Sequence, residues 1–227
     1  MQNNLLPSVD ININPGAGTG LAPSLYIILA LTFIALSPSI LVMITSFTRI
    51  IIVLSFTRSA LGTQQVPPNQ VLIGLALFLT LFIMHPTFNE VNEAAIKPYL
   101  NGQITEEQAL KQGMEPMREF MLKQTRTSDL NLFLSLSKDQ YQSGIDNLPM
   151  SVVIPAFAIS EIKTAFEMGF IIYLPFLIID MVVSSTLMSM GMFMLPPVMI
   201  SLPFKILLFI LVNGWDMIIK SLVMSFH

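Results

Sequence analysis

The chain contains no cysteine. Disulfides, zinc–thiolate sites and thiol nucleophiles are therefore excluded. Charge is scarce as well: Asp, Glu, Lys and Arg make up 11% of the 227 residues, against about 25% in an ordinary soluble domain. The net charge of −3 offers no basic surface for nucleic acid. No Lys or Arg precedes Arg49, and a secretory signal needs a positive opening segment. Residues 1–20 accordingly read as a polar tail, with any signal either removed before Met1 or never present. Walker A, HExxH and GxSxG sequences are missing too. His85 and His227 stand far apart, and His85 beside Pro86 reads as a helix-end residue rather than a ligand. Catalysis is the least supported class.

What the chain does have is apolar sequence, 53% of its residues, gathered in long runs. Four zones follow: a polar tail (1–20), an apolar helical hairpin (21–88), a polar helical insertion (89–149) and a C-terminal broken-helix hairpin (150–227). The apolar zones are long enough for spanning helices of about 20 residues, and hydropathy suggests about four of them. Almost none is clean. Ser37-Pro38 and Arg49 interrupt the first run. The second, Val71 to Met84, is short and meets His85-Pro86. The third meets Pro155 and Glu161, the fourth Pro175 and Asp180, the last Pro203 and Lys205. Broken backbone in a bilayer survives only inside protein or along a water-filled path, and each intramembrane charge costs about 2.5–3.5 kcal/mol on insertion scales. The fold class is all-α and membrane-like, with kinked and broken helices that need other subunits to cover them.

In the polar insertion, Thr105-Glu106-Glu107-Gln108 fits a capping box with Gly113 as the helix stop. Ser128-Asp129 opens a short helix with Leu130, Phe133 and Leu134 inward. The positive-inside rule puts the tail outside, the loop near Arg58 inside and the insertion outside.

Three charged residues lie in apolar surroundings: Glu161, Asp180 and Lys205. Lys205 can reach an interface by its long stem. Glu161 is expected to pair with Lys205 or across subunits, because an isolated buried charge is too costly. Asp180 cannot snorkel and needs a partner or water. The other unusual stretch is LMSMGMFMLPP (187–197). In an extended loop its alternate residues Met188, Met190, Met192 and Met194 would share one face. They read as core filler, as soft ligands for Cu(I), or as an adaptable apolar lining that closes around a moving polypeptide. The residues leave the last two open.

Four long segments carry a resemblance: MITSFTRIIIVLSFTRSALGTQQVPPNQVLIGLALFLTLFIMHP (43–86), EAAIKPYLNGQITEEQALKQGMEPMREFMLKQTRTSDL (93–130), PAFAISEIKTAFEMGFIIYLPFLIIDMVV (155–183) and GMFMLPPVMISLPFKILLFILVNGW (191–215). They resemble the FliP family of flagellar type III export-gate subunits, to which injectisome proteins are related. The resemblance implies a non-enzymatic subunit without cofactor or metal. Five copies would join four FliQ-type hairpin subunits and one FliR-type subunit in a closed helical hetero-oligomer, with FlhB-type and FlhA-type proteins at its cytoplasmic entrance. The complex would sit in the basal body at the bacterial cytoplasmic membrane, projecting to the periplasmic side and conducting unfolded rod, hook and filament proteins. Met192, Phe193 and Met194 match the family's gasket, with Phe193 in place of the usual Met. Met188 and Met190 would be further pore lining. Glu161, Lys205 and Asp180 match charged contact positions. The runner-up is a polytopic copper transporter, and a scaffold without a pore is the third class.

Overall fold

The computed structural model describes residues 22–63, 65–137 and 148–226; the tail over 1–20 lies outside them. The described residues form helices joined by short turns, without a strand. The first helix, α1 (Ala22–Met43), belongs up to Leu41 to a unit of its own. It runs on through residues 37 and 38, so the expected interruption there does not form. The second unit, Val42–His227, contains α2 (Phe47–Ala60), α3 (Asn69–Val91), a π-helical turn (Asn92–Ile96), α4 (Lys97–Leu100), α5 (Glu106–Gln124), α6 (Thr127–Leu136), α7 (Met150–Ser189), α8 (Pro197–Leu211) and α9 (Gly214–Met224).

The prolines do not end these helices as expected. Pro86 lies inside α3, and the helical path continues from Asn69 to Leu100. His85 is therefore mid-helix, with Nδ1 3.2 Å from the Asn89 amide nitrogen. Pro155 and Pro175 both lie inside α7, which joins two apolar runs into one helix of 40 residues. At 1.5 Å per residue that is roughly 60 Å, about twice a hydrocarbon core. A proline forfeits one backbone hydrogen bond, yet its neighbours can hold the helix when the segment is otherwise strongly apolar. Among the described residues, two helical paths, Asn69–Leu100 and Met150–Ser189, are long and apolar enough to cross a membrane; α8 and α9, bent by 63° at their junction, make a third if counted as one span.

Two apolar cores hold the second unit together. One joins α2, α3, α7, α8 and α9 through Ile50, Val53, Leu54, Leu72, Phe176, Phe209 and Leu222. The other joins α5, α6 and α7 through Met121, Leu130, Val153 and Phe157. Two glycines lie where a helix meets a phenyl ring. A Cβ on Gly169 would stand 2.6 Å from the Phe56 ring, and one on Gly214 would stand 2.2 Å from the Phe209 ring. Thr105 and Gln108 form the expected capping box on α5. Gly113 does not stop that helix. A Cβ there would lie 3.2 Å from Ala95, so the glycine lets α5 approach the π-helical turn. Buried positions on α7 concentrate between Val152 and Gly169, and beyond them only Phe176 is buried. The C-terminal half of α7, and one face of α3 around Phe78 and Phe82, leave large apolar side chains exposed. Such faces need lipid or protein to cover them.

Candidate functional site

The methionine stretch forms the turn between α7 and α8. Met188 is in the last turn of α7 and Met190 caps it. Gly191 adopts φ +75°, the left-handed conformation that glycine takes without a Cβ penalty. Its N–H donates to the Met188 carbonyl at 3.0 Å, and the Met192 N–H donates to the Leu187 carbonyl at 3.0 Å. This pair of bonds is a Schellman cap, which satisfies carbonyls left over at a helix end. Pro197 then opens α8 with a preset φ. The extended strand that would place the four alternate methionines on one face is therefore not formed; the helix end captures the first half of the stretch. What the turn presents instead is a projecting apolar tip, with Phe193 78% and Met194 96% exposed and Met188, Met190 and Met192 exposed beside it.

No ionisable residue lies between Asp180 and Lys205 in the sequence. Three hydroxyls in the interval bond to their own helix: Ser185 and Thr186 donate to the Val182 carbonyl, and Ser189 to that of Ser185. The two bracketing charges meet across α7 and α8. Lys205 Nζ donates to Asp180 Oδ2 at 2.6 Å, and Ser201 Oγ to Asp180 Oδ1 at 2.5 Å. The Lys205 side chain is buried, while that of Asp180 is partly open. This pair fastens the two helices below the turn.

Glu161 does not pair with Lys205. Its partner is Arg49, which is buried on α2 and holds both carboxylate oxygens, Nε to Oε2 at 3.0 Å and Nη2 to Oε1. The same guanidinium donates to Gln124 Oε1 at 3.1 Å and to the Ser225 carbonyl at 2.9 Å, and it lies 3.8 Å over the Phe226 ring. Gln124 in turn donates to the Phe226 carbonyl at 3.2 Å. Arg49 thus joins α2, α5, α7 and the residues after α9. In the sequence, Arg49 stands out only as an interruption of the first apolar run. The signal it carried was charge balance, since a cation inside an apolar run needs an anion of equal burial.

A third network ties the polar insertion to α7. Asp129 is buried and accepts from Lys163 and, at 2.9 Å, from Ser160. The Lys163 ammonium holds its carboxyl below the usual carboxylate range against the opposing effect of burial, and the Ser160 hydroxyl assists. Arg126 grips Glu167 with two bonds, at 2.8 and 2.6 Å.

These features define a helical membrane protein whose apolar faces need covering, with an apolar turn fastened at its base by a buried charge pair. The FliP family model matches residues 30–222. The chain is 58% identical over 200 residues to the flagellar biosynthetic protein FliP of Bacillus subtilis (strain 168), covering 88% of this chain and 90% of that protein. It is 50% identical over 222 residues to the FliP of Pectobacterium carotovorum subsp. carotovorum, with coverage of 98% and 86%. The FliP of Aquifex aeolicus (strain VF5) is 48% identical over 224 residues, with coverage of 98% and 92%. The chain belongs to the FliP family. It is a membrane component of the flagellar export apparatus, and a structural protein rather than an enzyme.

Proposed function

We propose that this chain is the core channel subunit of the flagellar export gate, conducting unfolded rod, hook and filament proteins across the bacterial inner membrane. In this reading five copies assemble with FliQ-type and FliR-type subunits, and FlhB-type and FlhA-type proteins attend the cytoplasmic side. Met192, Phe193 and Met194 meet around the channel axis as a deformable gasket, with Met188 and Met190 lining the approach. Glu161, Asp180 and Lys205 keep the helices that carry the gasket in register. The polar insertion lies on the periplasmic side.

The observation that carries this reading is the turn itself. Its apolar tip projects from a helix end fixed by backbone bonds, and its base is clamped by Lys205 and Asp180. A seal needs that combination: side chains soft enough to part around a polypeptide, on a backbone that returns to one position. An apolar constriction also blocks ions by excluding water.

The test is ion conductance of complexes co-expressed with both partner types, after native mass spectrometry has counted the subunits. Complexes carrying Met192→Ala and Met194→Ala should assemble with five copies and leak small ions. Unchanged leakage in assembled complexes overturns the gasket. A monomer or dimer that binds stoichiometric Cu(I) overturns the channel and makes the methionines ligands.

A further inference from the structure

We propose that Met192 and Met194 are sites of reversible oxidation to methionine sulfoxide by peroxide, and that this modification opens the apolar seal to ions. The proposal rests on the gasket reading of the turn.

Three observations carry it. The first is access. In the single chain Met194, at 96%, is the most exposed of the described methionines and Met192 is 41% exposed, with Met188, Met190 and Met199 exposed beside them, whereas Met84 and Met121 are wholly buried in the helical frame. The second is chemistry. Between Asp180 and Lys205 there is no ionisable side chain, and the Ser185, Thr186 and Ser189 hydroxyls on the last turns of α7 donate to backbone carbonyls. The thioethers are the groups in this stretch that can gain strong polarity in place. Sulfoxidation turns a flexible apolar side chain into a polar one with a hydrogen-bond acceptor. Phe193, between them, is inert to peroxide and keeps part of the apolar surface. The third is that the modification is decoupled from the fold. The turn is held by the Gly191 and Met192 backbone N–H groups and by the Asp180–Lys205 pair. None of these uses a methionine sulfur, so an oxidised tip stays in place while its polarity changes. Oxidation at Met84 or Met121 would instead force a polar group into a packed core.

The step balances without further reactants. A sulfur lone pair attacks one peroxide oxygen, the S–O bond forms as the O–O bond breaks, and a proton moves to the departing oxygen to give water. Sulfur is oxidised by two electrons and peroxide is reduced. Methionine sulfoxide reductases reverse the change at a thiol's expense, one enzyme for each sulfoxide epimer.

The experiment treats the assembled complex with hydrogen peroxide and follows peptide masses and ion conductance together. Each sulfoxide adds about 16 Da. The expected result is that Met192 and Met194 gain this mass before Met84 and Met121, that conductance rises severalfold over the same interval, and that the two reductases together reverse both. With Met192→Leu and Met194→Leu combined, the peroxide-dependent increment should vanish, whatever the basal leak of that variant. The proposal is overturned if Met192 and Met194 stay unmodified at peroxide levels that oxidise a free methionine peptide. It is equally overturned if they oxidise without a conductance change in complexes that do leak when both are replaced by alanine. The gasket reading survives each of those results, because neither bears on the alanine-variant leak, the subunit count or the Cu(I) binding by which it is tested.

Discussion

Arg49 and Glu161, 112 positions apart in the chain, meet in a two-point ion pair from which water is excluded on both sides. Breaking such a pair strands one charge in a dry site, which costs about 3–5 kcal/mol, whereas replacing both members by apolar residues is often far milder. Arg49→Ala and Glu161→Ala should therefore each sharply reduce the yield of folded, monodisperse protein. The combination Arg49→Met with Glu161→Leu should recover a substantial part. Size-exclusion yield and thermal melting in detergent measure both, and a double variant worse than either single one would contradict the pairing.

The two glycines in helix contacts should resist even one added methyl group. Gly214→Ala drives a Cβ against the Phe209 ring, and that ring is held edge-on by Trp215 with centroids 5.3 Å apart. Gly169→Ala meets the Phe56 ring, which stands edge-on to Phe166 with centroids 5.1 Å apart. Overpacking of this kind costs about 1–3 kcal/mol. Gly214→Ala, the closer approach, should lower the melting temperature more than Gly169→Ala, and adding Phe209→Leu should restore part of the loss. Equal melting of Gly214→Ala and the unaltered protein would remove the close contact from the account.

Much of this was legible from residue types, and what was not has a common cause. The all-helical, membrane-like class followed from apolar runs broken by proline and charge, and the Thr105–Gln108 cap followed from spacing alone. Pro86, Pro155 and Pro175 misled because a proline's local cost was weighed without the apolar context that lets a helix continue through it. Gly113 misled in the same way: a missing Cβ signals either a helix end or a close neighbour, and only the position of Ala95 decides between them. In the methionine stretch, Gly191 and Pro196-Pro197 suggest a loop in which the alternate methionines share a face, but Gly191 supplies a Schellman cap and the helix claims Met188. A short carboxylate such as Asp180, flanked by apolar residues, calls for a partner or water. Its pairing with Lys205, like that of Glu161 with Arg49, is a contact across helices, and linear spacing carries no register between them.

The Asp180–Lys205 pair should respond unequally to truncation of its two members. The Lys205 ammonium is buried and has Asp180 as its anion, whereas Asp180 is partly open to solvent and keeps the Ser201 hydroxyl. Asp180→Ala strands a buried cation, while Lys205→Met leaves a carboxylate that retains one bond and some water. Asp180→Ala should thus lower the yield of assembled complex more than Lys205→Met does. Equal losses would indicate that the clamp matters through packing alone.

The junction of the polar insertion with α7 should weaken in acid. The folded pKa of Asp129 lies below its unfolded value, about 3.9, because Lys163 and Ser160 bind the ionised carboxyl. A depressed carboxyl contributes stability that is fully present above the unfolded value and is lost as pH falls through the folded one. The unaltered protein should therefore melt well above Asp129→Asn near neutrality, with the gap closing as pH drops below about 4. A gap independent of pH would assign the effect to shape rather than charge.

The conformation of Gly191 gives the most selective test of the turn. Its φ of +75° is left-handed, and a Cβ built there meets nothing within 4 Å. Any penalty for Gly191→Ala therefore comes from the backbone, about 1–2 kcal/mol for an L-residue in that region. Asparagine tolerates the region better than alanine and is an accepted alternative at this helix-end position. The expected order of thermal stability is glycine, then asparagine, then alanine, and ion leakage from assembled complexes should rise in the same order as the cap weakens beneath Met192 and Met194. If alanine and asparagine proved indistinguishable in both readouts, the Schellman cap would have no part in holding the tip.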